Sequence, residues 1–207
     1  MRILVLPSYF YPESYSSAHL DNDLYAHFSS VGIQVVAYVP IPSRGVDSTT
    51  RESYRTKKYE LFFDGNFELH RFRLFNETKS TISRAFRYGL SATIQLIKGL
   101  FTRDIDAVFL VSTPPIIGIV GALLHKIKRI PFIYVVQDIF PDSLVNTGLS
   151  RKGSLAWKIG RIIENFTYRN ATRIIVISQD FKSNLLKKNV PEDKIEVIHN
   201  WIDTTSI

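Results

Sequence analysis

The chain has 207 residues, 45% of them apolar and 22% charged, enough for one large domain with a full hydrophobic core. It carries no cysteine, which excludes disulfides and thiolate metal sites and points to a reducing compartment. A net charge of +7 and a pI near 9.6 favour anionic partners, whether phosphorylated substrates, acidic lipid headgroups or nucleic acid; the plainer alternative is a solvated basic surface.

The start, Met1 to Pro7, holds too short an apolar run for a signal peptide and reads as a first buried strand. Further strand-like runs follow at Gln34 to Val39, Glu68 to Phe72, Ala107 to Val111, Phe132 to Val136, Arg173 to Ile177 and Ile195 to Ile198. Most are apolar on both faces, as parallel strands covered by helices are. Helical patterns fit between them at Ala18 to Val31, Thr81 to Phe101, Pro115 to Lys128, Ser154 to Asn170 and Gln179 to Lys188. This alternation predicts an α/β fold, a doubly wound, mostly parallel, Rossmann-like sheet in the order 3-2-1-4-5-6 with the last short strand beside the sixth.

Local signals mark the boundaries. Gly32 suits a left-handed cap after the first helix, and Thr113 can cap a helix opened by Pro114 and Pro115. Ser178 can cap the helix after the sixth strand, and Pro191 opens a tight turn into the last. Pro42 to Asn66 is the one long polar connection, rich in Arg and Lys, and loops of that length are usually functional or mobile. No apolar run is long enough to span a membrane; Pro114 to Leu124 comes closest.

Open parallel sheets bind ligands outside the carboxyl ends of their strands, where the strand order reverses. The first strand delivers Tyr9, Phe10, Tyr11, Pro12 and Glu13 there, the fourth Ser112 and Thr113, the fifth Gln137 and Asp138, and the sixth Ser178. Hydroxyls, amides and aromatic rings in one place suit carbohydrate. The loop after the first strand lacks the glycines of a dinucleotide fingerprint. No phosphate-loop or nucleophile-elbow motif is present, and the five histidines show no metal-ligand spacing, so neither a metal nor another cofactor is expected.

Asp138 ends the apolar run Phe132 to Val136 and is the expected catalytic residue. It can orient a substrate hydroxyl, accept its proton or stabilise positive charge developing on a sugar. Capping the turn Phe140 to Leu144 is its structural alternative. On the helix Thr81 to Phe101, Ile82, Ala85, Phe86, Leu90, Ile94, Leu96, Ile97, Leu100 and Phe101 share a broad face, expected to pack on the core. Arg84, Arg87 and Lys98 lie on the opposite side, expected to meet solvent or an anionic membrane.

Val136-Gln137-Asp138-Ile139-Phe140-Pro141-Asp142-Ser143-Leu144, with Gly148-Leu149 after it, resembles a segment of the family 4 glycosyltransferases, in particular bacterial enzymes of capsule, O-antigen or exopolysaccharide synthesis. Tyr11-Pro12-Glu13, Ser112 to Pro115 and Asp193 to Asp203 match further family segments, in order and over nearly the whole chain. The resemblance implies one half of a retaining, metal-independent GT-B enzyme. Residues 1–198 would form the acceptor-binding domain, and residues 199–207 would begin the linker to a donor domain that the chain lacks. By itself the chain would be inactive. The implied partners are a nucleotide-sugar donor, a lipid-linked sugar acceptor and the inner face of the cell membrane, to which a cytoplasmic enzyme would attach peripherally; nucleic acid is not among them. Ser16 and Ser17 stand where the family often has a glycine pair near the ligand, and Asn200 stands where it has an asparagine before a glycine that is Trp201 here. With Tyr11, Glu13, Ser112, Thr113 and Ser178 they complete the expected substrate-binding set. Asp138 sits where some relatives carry a catalytic histidine, so its role is assigned by position. Two alternatives stand beside this reading: a non-catalytic subunit that recruits a separate donor-binding chain to membrane, and a stand-alone small-ligand domain.

Overall fold

A computed structural model describes residues 1–78, 80–146, 148 and 151–202; of the sequence motifs above, Leu149 and residues 203–207 lie outside the described residues. The chain divides into two compact units, Met1–Asp106 together with the residues from Asn200 onward, and Ala107–His199.

In the first unit β1 (Arg2–Val5), β2 (Gln34–Pro40) and β4 (Phe67–Phe72) run parallel, with Arg2 opposite Gln34 and Val35 opposite Phe67. β3 (Tyr59–Phe62) joins β4 antiparallel, giving the order β3-β4-β2-β1. The three parallel strands match the sequence reading. β3 was not foreseen: it lies inside the polar connection, and its alternating exposure is that of a strand with one solvated face. Leu4, Val35, Val36, Phe67 and Leu69 are fully buried. Beside them Phe10 stacks on Phe67 at 5.2 Å and Tyr25 reaches the same ring at 4.8 Å. Tyr25 lies on α1 (Ala18–Ser30), which ends where Gly32 takes a positive φ of 76°. A short α2 (Ser48–Ser53) is capped by Asp47, whose carboxylate accepts from the Thr50 amide at 2.8 Å.

α3 (Thr81–Phe101) is oriented opposite to expectation. Arg87, Ser91, Ala92, Gln95 and Gly99 are buried, whereas Ile82, Phe86, Leu90, Ile97 and Phe101 are 83%, 67%, 38%, 50% and 81% exposed. The reason is hydrogen bonding. Gln95 donates from its amide nitrogen to the carbonyl oxygens of Pro7 (3.0 Å) and Tyr38 (2.9 Å), at the ends of β1 and β2. Arg87 donates to the Phe75 carbonyl at 3.0 Å and to Ser43 Oγ at 2.7 Å. A buried backbone acceptor left without a donor costs about 1–3 kcal/mol, and these inward side chains satisfy three of them.

In the second unit β5 (Ala107–Val111), β6 (Phe132–Val136), β7 (Arg173–Val176) and β8 (Ile195–Val197) are all parallel, in the order β5-β6-β7-β8. α4 (Ile117–Lys128), a short α5 (Asp142–Asn146), α6 (Leu155–Asn170) and α7 (Gln179–Lys187) complete it. Glu164 on α6, buried, accepts from Lys188 Nζ at 2.6 Å and from Arg161, and Lys188 also reaches Asp142 at 2.7 Å, so one cation ties α5, α6 and the end of α7. Burial pushes the Glu164 carboxyl up while Lys188 and Arg161 pull it back.

Gly160 on α6 lies where a Cβ would stand 2.7 Å from Phe140 and Pro141, so only glycine lets the helix seat on the segment after β6; a Cβ at Gly89 on α3 would meet nothing within 4 Å. Gly160→Ala is therefore expected to destabilise by about 1–3 kcal/mol, and Gly89→Ala to stabilise by about 1 kcal/mol, both read by denaturant unfolding. Equal effects would remove the packing argument.

On α1, burial raises the Asp21 carboxyl to about 6, against the opposing pull of the Tyr15 hydroxyl, bonded at 2.9 Å, and of His19. A raised folded-state value means that the charge of Asp21 costs nothing below the unfolded carboxylate pKa and its full amount above about 6. Asp21→Asn keeps an acceptor for Tyr15. It is expected to raise Tm by about 2–4 °C at pH 7–8 and to leave it unchanged near pH 4.

Candidate functional site

The parallel strands deliver two groups of residues at their carboxyl ends, one in each unit. In the first unit the chain leaves β1 through Ser8, Tyr9 and Phe10, all buried, and surfaces at Tyr11, which is 64% exposed. Glu13 then turns back inside. Its Oε1 accepts from the Ser43 amide at 2.7 Å and the Arg44 amide at 2.9 Å, and its Oε2 from the Phe10 amide at 3.4 Å. Glu13 thus ties the loop after β1 to the loop after β2, and its carboxylate is occupied by backbone. Burial raises its pKa, and those amides with nearby Arg87 lower it again.

Tyr9 donates its hydroxyl to Glu77 at 3.1 Å and lies 2.9 Å from the Tyr88 hydroxyl, with the Arg44 guanidinium 5.0 Å over its ring. Burial and these oxygen partners push the phenol far up, so Tyr9 is a neutral donor at any ordinary pH. Ser16 is exposed, and Ser17 occupies the N-cap position of α1 without making a side-chain cap bond. Asn200, Trp201 and Ile202 belong to this unit, with Asn200 exposed and Trp201 Nε1 donating to Asp23 on α1 at 2.9 Å.

In the second unit Ser112, buried, accepts at Oγ from the amides of Gln137 (3.0 Å) and Asp138 (3.3 Å). Ser112, expected to bind substrate, here ties the end of β5 to the loop after β6. The tie fixes the backbone that carries Asp138, whose exposed side chain borders a small recess with Pro115, Tyr134, Phe140, Glu164 and Tyr168. Thr113 is exposed and does not cap α4, which starts three residues after Pro114 behind Ile116 with no side-chain cap. Ser178 is the cap of α7, its Oγ accepting from the Phe181 amide at 3.2 Å, so that hydroxyl is committed to the helix.

The three cations assigned to the membrane divide. Arg84 is exposed. Arg87 is 3% exposed and spent on Phe75 and Ser43, which removes it from any surface. Lys98 is half-buried, with Nζ 5.3 Å over the Tyr38 ring.

Sequence reasoning missed Arg71. It lies at the end of β4 with its side chain wholly enclosed, donating from Nε to Glu60 at 2.7 Å and from Nη2 to the Tyr11 carbonyl at 2.6 Å. The one available signal was an arginine near the end of an otherwise apolar strand. Among the described residues no cluster of His, Asp or Glu could hold a metal ion, and no helix is long and apolar enough to cross a membrane.

Comparison with known proteins extends this picture. The chain is 28% identical over 130 residues to a probable glycosyltransferase, WbjE, of Pseudomonas aeruginosa, covering 62% of this chain and 31% of that protein. In structure it resembles Anabaena HepE bound to UDP-glucose (TM-score 0.56, 16% identity, 98% of this chain and 44% of that one). It also resembles sucrose-phosphate synthase of Thermosynechococcus elongatus (TM-score 0.62, 10% identity, 98% and 48%). The chain thus spans about a third of the curated relative and under half of either structure. These likenesses fix the fold as a doubly wound, mostly parallel, Rossmann-like α/β fold, one half of the GT-B architecture. The model of glycosyltransferase family 4 matches residues 22–206, and the chain belongs to that family.

Proposed function

We propose that this chain is the acceptor-holding half of a retaining glycosyltransferase, which moves a sugar from a nucleotide-sugar donor to a lipid-linked glycan acceptor in surface polysaccharide synthesis of the capsule or O-antigen kind. Family membership supports sugar transfer, and the structural relative solved with UDP-glucose supports a nucleotide-sugar donor. Residues beyond this chain would bind that donor, so the chain by itself would not turn over, because transfer needs donor and acceptor held together.

The observation that carries a catalytic reading is Asp138. Its backbone is pinned by Ser112 at the carboxyl end of β6, and its carboxylate stands exposed over the recess at Tyr134 and Phe140. In the proposed transfer the acceptor oxygen bonds to the anomeric carbon, the bond from that carbon to the diphosphate breaks, and the nucleotide leaves with the electron pair. Asp138 takes the proton of the acceptor hydroxyl or faces the positive charge developing on the sugar. Tyr11, Ser16, Ser17, Thr113 and Asn200 remain candidates for acceptor contact.

The membrane part of the reading rests on α3. Its exposed stripe of Ile82, Phe86, Leu90, Ile97 and Phe101 runs the length of the helix, about 30 Å for 21 residues. The helix carries no acidic residue, and exposed Arg84 and Arg103 stand at its two ends. An apolar stripe on a helix that carries basic and no acidic residues suits the interfacial zone of an anionic bilayer. The proposed location is therefore cytoplasmic, peripheral on the inner face of the cell membrane, with the apolar face inserted.

Two measurements test these readings. In the protein with its donor-binding half, Asp138→Asn is expected to lower transfer to a membrane-extract acceptor by about a hundredfold with Tm unchanged. Near-normal turnover, or an equal loss of stability, removes the catalytic role. In vesicle sedimentation, Phe86→Ser with Phe101→Ser is expected to weaken binding to anionic vesicles by about tenfold or more. Undiminished binding removes α3 as the membrane surface.

A further inference from the structure

α6 of the second unit presents apolar residues to solvent. Leu155, Ile159 and Ile162 are 75%, 50% and 68% exposed, and Phe166 is half-buried. Helical geometry puts these four side chains in one stripe, within about 60° of one another around the axis and about 17 Å long. The buried residues Gly160, Glu164, Thr167 and Tyr168 lie on the opposite side of the helix. That inner side is built for close approach and ion pairing. Gly160 lies against Phe140 and Pro141, a Cβ at Gly118 of α4 would collide with Thr167, and Glu164 takes Lys188 and Arg161. The contacts that seat α6 on its unit therefore leave the stripe unused.

Single exposed apolar side chains are common on soluble proteins, but a continuous stripe at helical spacing marks a contact surface. The charges around it narrow the partner. Lys158 and Arg169 are exposed and lie along one border of the stripe on the same helix. Lys126 of α4 holds its Nζ 5.4 Å over the Phe166 ring, at the end of the stripe far from Leu155. α4 has no acidic residue, and the one acid of α6, Glu164, is buried and ion-paired. The stripe is thus bordered by cations, and neither helix sets an exposed carboxylate beside it. A second copy fits such a surface badly. A two-fold axis through the stripe would set Lys158 and Arg169 against the same cations, with no carboxylate to answer them.

We infer that α6 is a second membrane-inserting surface, in which Leu155, Ile159, Ile162 and Phe166 enter the acyl boundary of an anionic bilayer while Lys126, Lys158 and Arg169 meet its headgroups. A helix lying in the plane of the interface buries such a stripe, and long basic side chains beside it reach back to the headgroup level. Apolar burial gives affinity for any bilayer; the cations add to it only where the surface is anionic, and that part weakens with salt. The inference rests on the membrane reading above for the class of partner alone, and none of its residues belongs to α3.

The test is sedimentation of the chain with vesicles of equal parts phosphatidylcholine and phosphatidylglycerol, beside vesicles of phosphatidylcholine alone. Ile159→Ser with Ile162→Ser is expected to weaken binding to the anionic vesicles by about tenfold or more. Lys158→Glu with Arg169→Glu should weaken it by about tenfold at low salt and by less at high salt. Because the chain has no cysteine, Ile162→Cys can carry a single polarity-sensitive fluorophore, whose emission should shift to the blue on the anionic vesicles. Unchanged binding in either α6 variant, or a label that stays in water while the chain sediments, overturns the inference. So does a dimer in analytical ultracentrifugation that Ile159→Ser with Ile162→Ser dissociates, which assigns the stripe to a second copy. The two helices fail separately: weakening by Phe86→Ser with Phe101→Ser alone leaves α3 without α6, and weakening by the α6 variants alone leaves α6 without α3.

Discussion

The polar groups left over where a parallel sheet stops govern most of this structure. Strand ladders satisfy backbone groups only along their length, and the residues just past the carboxyl ends must find partners elsewhere. Here side chains supply them. Gln95 serves the carbonyls of Pro7 and Tyr38, Glu13 serves the amides of Phe10, Ser43 and Arg44, and Ser112 serves those of Gln137 and Asp138. Each is buried, and each fixes a loop that the sheet alone would leave undetermined. The loops that carry Tyr11 and Asp138 are positioned in this way.

The same demand explains the orientation of α3. A helix over strand ends rich in free carbonyls is useful for its donors, so Arg87 and Gln95 face inward and the apolar residues face out. A helical wheel shows that two faces exist; it does not show which one the neighbouring backbone needs. That is why the faces were separable in the sequence and their direction was not. The other seven strands were readable because most of their positions are apolar. β3 was hidden because its run of Tyr59, Glu60, Leu61 and Phe62 is short, charged and set in a polar connection.

Of the candidate site, the strand-end positions were readable, Asp138 among them, and the cap role of Ser178 follows directly from a serine between strand and helix. Glu13 and Ser112 were correctly placed at the strand ends, but their partners are backbone amides distant in sequence, and a one-dimensional pattern cannot distinguish a carboxylate that binds ligand from one that binds a loop. Thr113 suited a cap by type, yet the two prolines after it delay the helix to Ile117. Arg71 escaped because its environment comes from three separate segments, at Tyr11, Tyr54 and Glu60.

The setting of Arg71 also makes one side chain the fastener of three segments. Its wholly enclosed guanidinium is held by Glu60 on β3, the Tyr11 carbonyl in the loop after β1 and the Tyr54 ring at the end of α2, and it has lost its rotational freedom on folding. Loosening one of the three leaves a buried cation short of a partner, a cost felt at once by the other two. The edge strand, the loop and the short helix therefore open as a unit, not one by one.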